Sequence, residues 1–294
     1  MKQRVSSQLY TKSARLSAHM AEPYVEIHPA DAEAAGIEPA TLARVESPHG
    51  TVVLRAIVTD RTPRGSLFAP MHWTAITASR GRIDAVVGAA TDPLSGQPES
   101  KAQPVRIAPF RPAWHGFALS RRAPRPGTAY WARARGPDHW RLELAHDGVP
   151  EDWNRFALAL FGLDDGVPAI SITDSALPVA RLAFTANGRV DALLLTAPGP
   201  VEAARGPLAA AFDAGADAVS LLSGRPDGDR PDTGPIVCSC HGIGANTIAA
   251  AVAAGGLTSI EAVGAATAAG TACGSCRPEI AALIAACRPD IAAE

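Results

Sequence analysis

No cysteine occurs in the first 237 residues of this chain; all five fall close to its C-terminal end. They read Cys238-Ser-Cys240, then 32 intervening residues, then Cys273-Gly-Ser-Cys276, and finally Cys287. Disulfides are disfavoured in a reducing cytosol, where clustered thiols more often serve metal or redox chemistry. Two short-spaced pairs can fold together around one centre, and four thiolates suit either tetrahedral zinc or a [2Fe–2S] cluster. On residue types alone both remain open.

The segment around these pairs reads as three helices. Asn246 is positioned to cap a helix whose apolar residues Ile248, Ala251 and Val252 follow helical spacing, and Gly255-Gly256 ends it. Thr258-Ser-Ile-Glu261 has the form of a capping box that opens a second helix burying Ile260 and Val263. The second cysteine pair leads into a third, with Pro278 in its first turn and a stripe of Ile280, Leu283, Ile284 and Cys287. A continuous helix would carry Cys287 roughly 16 Å beyond Cys276, too far for one centre, so Cys287 is expected in the core. Cys273 and Cys276 lie in a Gly-containing loop at a helix N-terminus, where free N–H groups stabilise an anion and can bond to sulfur. His241 reads as a polar surface residue beside the site.

Residues 236–287 as a whole, from Ile-Val-Cys-Ser-Cys-His-Gly-Ile to the Cys-Gly-Ser-Cys-Arg-Pro-Glu-Ile exit helix, resemble the bacterioferritin-associated-ferredoxin-type [2Fe–2S] domain. The resemblance implies that Cys238, Cys240, Cys273 and Cys276 are the four iron ligands.

Composition sets the wider frame. At 294 residues two compact domains are expected, with room for a third small module. Apolar residues make up 47% and charged residues 19%, ordinary globular values that exclude global disorder. Residues 1–110 carry 12 basic and 10 acidic groups, residues 111–235 carry 13 and 15, and residues 236–294 carry 2 and 4. No block has the excess expected of a nucleic-acid or anionic-membrane binder. No apolar run approaches a membrane span. The first twenty residues are basic and Ser-rich without an apolar h-region, which argues against a secretory signal and for a cytoplasmic location.

Residues 21–110 read mostly as strands: Tyr24–Ile27, a short helix over Pro29–Ala35 ended by Gly36, then strands at Val52–Val58, Ser66–Ala69 and Asp84–Val87. Short strands with long connections suggest a closed barrel. Two stretches stand out chemically. Ala69-Pro-Met-His-Trp73 concentrates polar and aromatic groups after a strand, and the turn-rich loop Asp92 to Lys101 ends in one of only three lysines. Such a loop can offer backbone N–H groups and a cation to phosphate.

The stretches 13–31, 64–74 and 92–106 resemble the C-terminal molybdopterin-guanine-dinucleotide-binding domain of bacterial assimilatory nitrate reductases, a family that carries a ferredoxin-like [2Fe–2S] domain at its C-terminus. The resemblance implies a double-psi β-barrel and a contact from Lys101 to the dinucleotide. A second contact position, usually Asn, falls on Asp84, where an acid would repel a pyrophosphate but can still meet guanine or ribose. Met71 corresponds to a position near the substrate funnel. The family's [4Fe–4S] cysteines, molybdenum-ligand region and substrate pocket have no counterpart here, so the chain reads as the C-terminal part of a larger enzyme, inactive alone, whose catalytic portion is missing or a separate chain.

Residues 111–222 hold no metal-ligand pattern and read as a small α+β module. Trp140, Leu142 and Leu144 alternate as in a half-buried strand, and Pro150-Glu-Asp starts a helix. Val179–Ala186 and Arg189–Thr196 flank the hairpin dipeptide Asn187-Gly188, and a helix is expected over Val201–Phe212, kinked or restarted at Pro207. Seven arginines against a single acid between Arg111 and Arg141 suggest either a dock for an acidic electron donor or stems covering apolar surface. Residues 223–235 form a Pro/Gly/Asp linker.

The sequence therefore predicts a multi-domain α+β chain: a barrel over 1–110 that binds molybdopterin guanine dinucleotide, a module over 111–222, the linker, and a helical [2Fe–2S] domain over 236–294. Its expected role is electron relay toward a molybdenum site, with ferredoxin, flavodoxin or an NAD(P)H-dependent reductase subunit as donor and neither nucleic acid nor membrane as partner. A stand-alone electron-transfer or iron-handling protein and a structural zinc module are the alternatives.

Overall fold

The computed structural model describes residues 21–71, 73–99, 103–225, 233–234, 236–238, 241–272, 274 and 276–287. Met1–Pro226 forms one compact unit and Asp227–Glu294 a second. Together they make a mixed α+β protein with several sheets and, among the described residues, seven α-helices.

The first sheet has the order β4-β1-β3-β2-β5. Strand β1 (Tyr24–Ile27) is buried along its whole length because it has neighbours on both sides, running parallel to β3 (Gly50–Val58) and antiparallel to β4 (Leu67–Phe68). Helix α1 (Pro29–Ala35) follows at once; His28 caps it by accepting from the Ala30 N–H, Pro29 occupies its first turn, and Gly36 closes it. Strands β2 (Leu42–Ser47) and β3 form a hairpin, and β5 (Arg106–Phe110) pairs with β2. Val25, Ile27, Ala43, Val45, Val52 and Leu54 make the core of this layer. Residues Asp84–Val87 are not a strand: Ile83–Val86 forms one turn of 3₁₀ helix. The stretch has no strand partner, so the Val87 N–H bonds back to the Asp84 carbonyl and Val86 turns fully into the core, with Ala85 packed at its edge.

The second sheet has the order β7-β8-β6-β11-β10-β9, antiparallel throughout: β6 (Trp114–Ser120), β7 (Tyr130–Arg135), β8 (Trp140–His146), β9 (Ala169–Thr173), β10 (Ala180–Ala186) and β11 (Arg189–Ala197). The expected hairpin is β10–β11, with Asn187 and Gly188 at φ 51° and 77°, values that a two-residue turn of this hand demands. Both faces of the sheet are covered. Helix α2 (Trp153–Phe161), capped by Asp152, packs on the face bearing Trp114, Leu142, Leu144, Leu182 and Leu194. Helices α3 (Arg205–Ala214) and α4 (Ala218–Leu222) cover the face bearing Phe117, Leu119, Leu193 and Leu195. Strand β8 is consequently buried from Leu142 to Ala145 on both sides and not half-buried as its alternation suggested. Helix α3 starts at Arg205, later than expected, and carries Pro207 in its first turn, where no intrahelical N–H is needed, so it has no break there.

Much of the arginine-rich run is engaged inside this unit. The Arg121 guanidinium lies 4.5 Å from the Phe212 ring centroid and donates to the Phe212 carbonyl at 2.7 Å. Arg133 and Arg135 stack on Trp140 at 5.3 and 5.0 Å, and Arg141 lies over Phe117. No single helix among the described residues is long and apolar enough to cross a membrane.

The second unit pairs β12 (Ile236–Cys238) with β13 (Ile243–Gly244) and continues through α5 (Ala245–Gly255), α6 (Ile260–Thr267) and α7 (Arg277–Ala286). All three expected helices are present, with two shifted caps. Gly244 flanks α5 and Asn246 lies inside it, because the β13 pairing carries the chain directly into the helix. Ser259, not Thr258, caps α6, accepting from the Ala262 N–H at 3.1 Å.

Candidate metal centre

The core of the second unit is built on its cysteines. Cys238 ends β12, opposite Ile243, and Cys276 occupies the residue before the first turn of α7. Both are buried, together with Ile248, Val252, Val263, Ala269 and Ile280. Burial pushes the Cys276 thiol above its usual range, and a hydrogen bond to the Cys238 side chain adds to the rise; backbone N–H groups of Gly270 and of Cys276 itself pull the other way. The sulfurs of the first and second sequence pairs are thus in mutual contact in a water-poor pocket that already points amide donors at them. Without a metal the pair is held as thiols that share a hydrogen bond. Metal binding displaces the protons and gives the amides an anionic sulfur to bond. The donor set fits a thiolate-held metal centre.

Cys240 and Cys273 lie outside the described residues; the sequence places them two and three residues from the buried pair. Among the described residues no three metal-ligating side chains cluster, the described part of this centre being Cys238 and Cys276. Cys287, expected in the core, is exposed at the C-terminal end of α7, because the helix runs past the packed region after Ile284.

His241 is exposed, as expected, and it also has a partner. The Thr271 hydroxyl donates to the Ala268 carbonyl at 2.8 Å, so its oxygen accepts from His241 Nε2 at 3.2 Å. This bond joins the loop after the first cysteine pair to the turn before the second. On the outer face Arg277 of α7 pairs with Glu261 of α6. Sequence spacing had no signal for either link, since both partners are distant along the chain.

In the first unit, Lys101 is outside the described residues. Met71 is exposed on the segment after β4, and Asp84 is exposed on the 3₁₀ turn with Arg82 Nε 3.6 Å from its carboxylate. That ion pair offsets part of the negative charge that would repel a pyrophosphate. The loop leading to Lys101 borders an open surface groove of about 530 Å³ lined by Ala90, Thr91, Asp92, Ser95, Gln97 and Glu99. Asp92 shapes it by accepting from the Leu94 and Ser95 N–H groups at 3.1 and 2.7 Å, which holds its carboxyl below the usual range.

A buried pair of cysteines drawn from two separate segments of a small helical unit defines a class, the thiolate-held metal module. Residues 1–104 match the family described as "Molydopterin dinucleotide binding domain", and residues 236–286 match the "BFD-like [2Fe-2S] binding domain". The chain carries both domains, and its relatives are nitrate reductases and formate dehydrogenases. It is 38% identical over 277 residues to "Nitrate reductase" of Klebsiella oxytoca, a match covering 92% of this chain and 31% of that protein. Shorter matches join it to "Assimilatory nitrate reductase catalytic subunit" of Bacillus subtilis, 35% identical over 34% of this chain and 13% of the relative. "Formate dehydrogenase H" of Escherichia coli is 33% identical over 33% and 13% respectively. The chain therefore spans about a third or less of the length of these relatives. The Klebsiella match is too long to omit residues 111–222, so the middle module has a counterpart there.

Proposed function

We propose that this chain is the cofactor-binding and electron-transfer segment of a molybdenum-dependent assimilatory nitrate reductase. The observation that carries the reading is the contact between Cys238 and Cys276, drawn from two sequence-distant pairs, in a unit that matches a [2Fe–2S] family. Cys238, Cys240, Cys273 and Cys276 hold the cluster; Lys101, Asp84 and Met71 face the pterin dinucleotide in a barrel of double-psi type formed by residues 1–110. Bound together, the two cofactors supply one-electron transfer toward a pterin-held molybdenum. The protein's own contribution is to exclude water from the sulfurs, aim amides at them and fix the helices that carry them. Nitrate as the substrate is supported by the names of the Klebsiella and Bacillus relatives. Ferredoxin, flavodoxin or an NAD(P)H-dependent reductase subunit would act as donor, in the cytoplasm.

Full-length chain isolated without oxygen, or reconstituted with iron and sulfide, tests the reading. Expected are visible charge-transfer bands, two irons and two sulfides per chain, and a rhombic S = 1/2 signal after one-electron reduction. A colourless protein holding one zinc would overturn it.

A further inference from the structure

Helix α6 ends in two successive departures from helical geometry. Ala268 adopts φ 65°, one of three non-glycine residues with positive φ among those described, and Gly270 adopts φ 80°. For alanine this conformation costs roughly 1 kcal/mol, and such strain persists only where the surroundings enforce it. Several bonds enforce it here: the Ala268 N–H donates to the Gly264 carbonyl, the Ala269 N–H to the Thr267 hydroxyl, and the Thr271 hydroxyl back to the Ala268 carbonyl. Their combined effect is to bring the Gly270 N–H onto the Cys276 sulfur.

The position also leaves little room for a side chain. A Cβ at Gly270 would lie 3.1 Å from Ile280 Cδ1 and 3.6 Å from both Arg277 Cγ and Ile260 Cγ2, wedged between α6 and α7. Gly270 is itself buried, next to the fully packed Ala269. An N–H···S bond shielded from water is electrostatically stronger than an exposed one.

We propose that the Gly270 amide is a positioning and potential-setting donor to the centre, holding the Cys276 sulfur in place and raising the reduction potential. This rests on the reading of the cysteines as a [2Fe–2S] site. Reduction adds one negative charge, part of it shared by the ligand sulfurs, so a donor fixed on one of them stabilises the reduced form more than the oxidised form.

The test uses the full chain, reconstituted anaerobically after growth on ¹⁵N-glycine, and pulsed EPR of the reduced state. A ¹⁵N hyperfine coupling from glycine is expected in the wild type and is expected to diminish in Gly270→Asn, since Asn tolerates positive φ and places an unlabelled amide there, while any coupling from Gly274 of the ligand loop remains. In Gly270→Val the branched side chain opposes φ 80° and turns the amide away. At full iron content, its reduced-to-oxidised ratio at fixed poise should drop about tenfold, which for a one-electron couple is about 59 mV. If Gly270→Val does not retain iron, the labelling experiment decides alone. The proposal is overturned by a glycine coupling that is absent in the wild type or undiminished in Gly270→Asn, or by an iron-replete Gly270→Val with wild-type potential. A wild-type chain that forms no cluster at all rejects the cluster reading itself and the proposal with it.

Discussion

Glu143 Oε1 lies 2.6 Å from Nε of Arg205, and Oε2 lies 3.0 Å from its Nη2, so strand β8 of the second sheet is clamped to the first turn of α3 by a two-pronged ion pair. The carboxylate is 2% exposed and has two further guanidinium neighbours, Arg141 at 3.0 Å and Arg55 at 3.9 Å. Arg55 belongs to β3 of the first sheet, where it also holds Glu22, which in turn accepts from the Tyr130 hydroxyl at 2.9 Å. One buried anion thus fastens both sheets and a helix of the same unit.

Removing its main partner leaves that anion under-compensated. Arg205→Ala is expected to destabilise the first unit by about 3 kcal/mol, read as a shift in the urea midpoint with unchanged m-value. Arg189→Ala, whose pair with Asp138 is solvent-exposed at both ends, should shift the midpoint far less. Equal effects would show that the Glu143 cluster does not hold the unit together.

The same region should make the protein acid-labile. Burial lowers the His115 pKa to about 4, with Arg55 adding to the fall. The unfolded chain therefore takes up a proton near 6.5 that the folded one resists until about 4. Glu143 stays ionised down to about 2, because Arg205, Arg141 and Arg55 outweigh the burial that would raise it. Between pH 7 and 2 folded stability should fall first as pH drops from 6.5 to 4 through His115, and further between 4.5 and 2 through Glu143. His115→Gln should flatten the first part of a melting-temperature profile and leave the second.

The ligand assignment separates the cysteines. Cys276→Ser should lose most of the cluster, measured as iron and labile sulfide per chain, whereas Cys287→Ala should retain it, since Cys287 is exposed beyond the packed part of α7. Equal iron loss in the two would refute the assignment.

The dinucleotide contacts divide by charge. With GDP as probe, Lys101→Ala should weaken binding several-fold through loss of a phosphate-facing cation. Asp84→Asn should leave it unchanged or tighter, because the Asp84 carboxylate is already offset by Arg82. Titration calorimetry on the full chain reads both, and tighter binding in Lys101→Ala would rule out that contact.

The parts that were legible in the sequence are those written in local signals. The Asn187-Gly188 hairpin, the Gly36 stop of α1, the Asp152 start of α2 and the three helices between and after the cysteine pairs each depend on a few neighbouring residues. Strands β2 and β6 carried no such mark. In β2, Arg44 and Glu46 interrupt the apolar pattern, and in β6 every residue is buried, so there is no alternation to read. The stretch Asp84–Val87 has strand composition but lacks a neighbour to pair with, and pairing is a property of the whole sheet.

By itself the sequence determined the chemistry available: four thiols in two spaced pairs, a helical frame to carry them, and a lysine-ended loop behind a β-layer. Tertiary structure alone decided which groups meet. Cys276 is in contact with Cys238, and Gly270 with Cys276, because α6, α7 and the β12–β13 ribbon pack on one core. Glu143 remains charged in the interior because guanidiniums from β3, β8 and α3 converge on it. Contacts between residues far apart in the chain depend on how separate elements pack and pair, and short-range propensity contains no record of that.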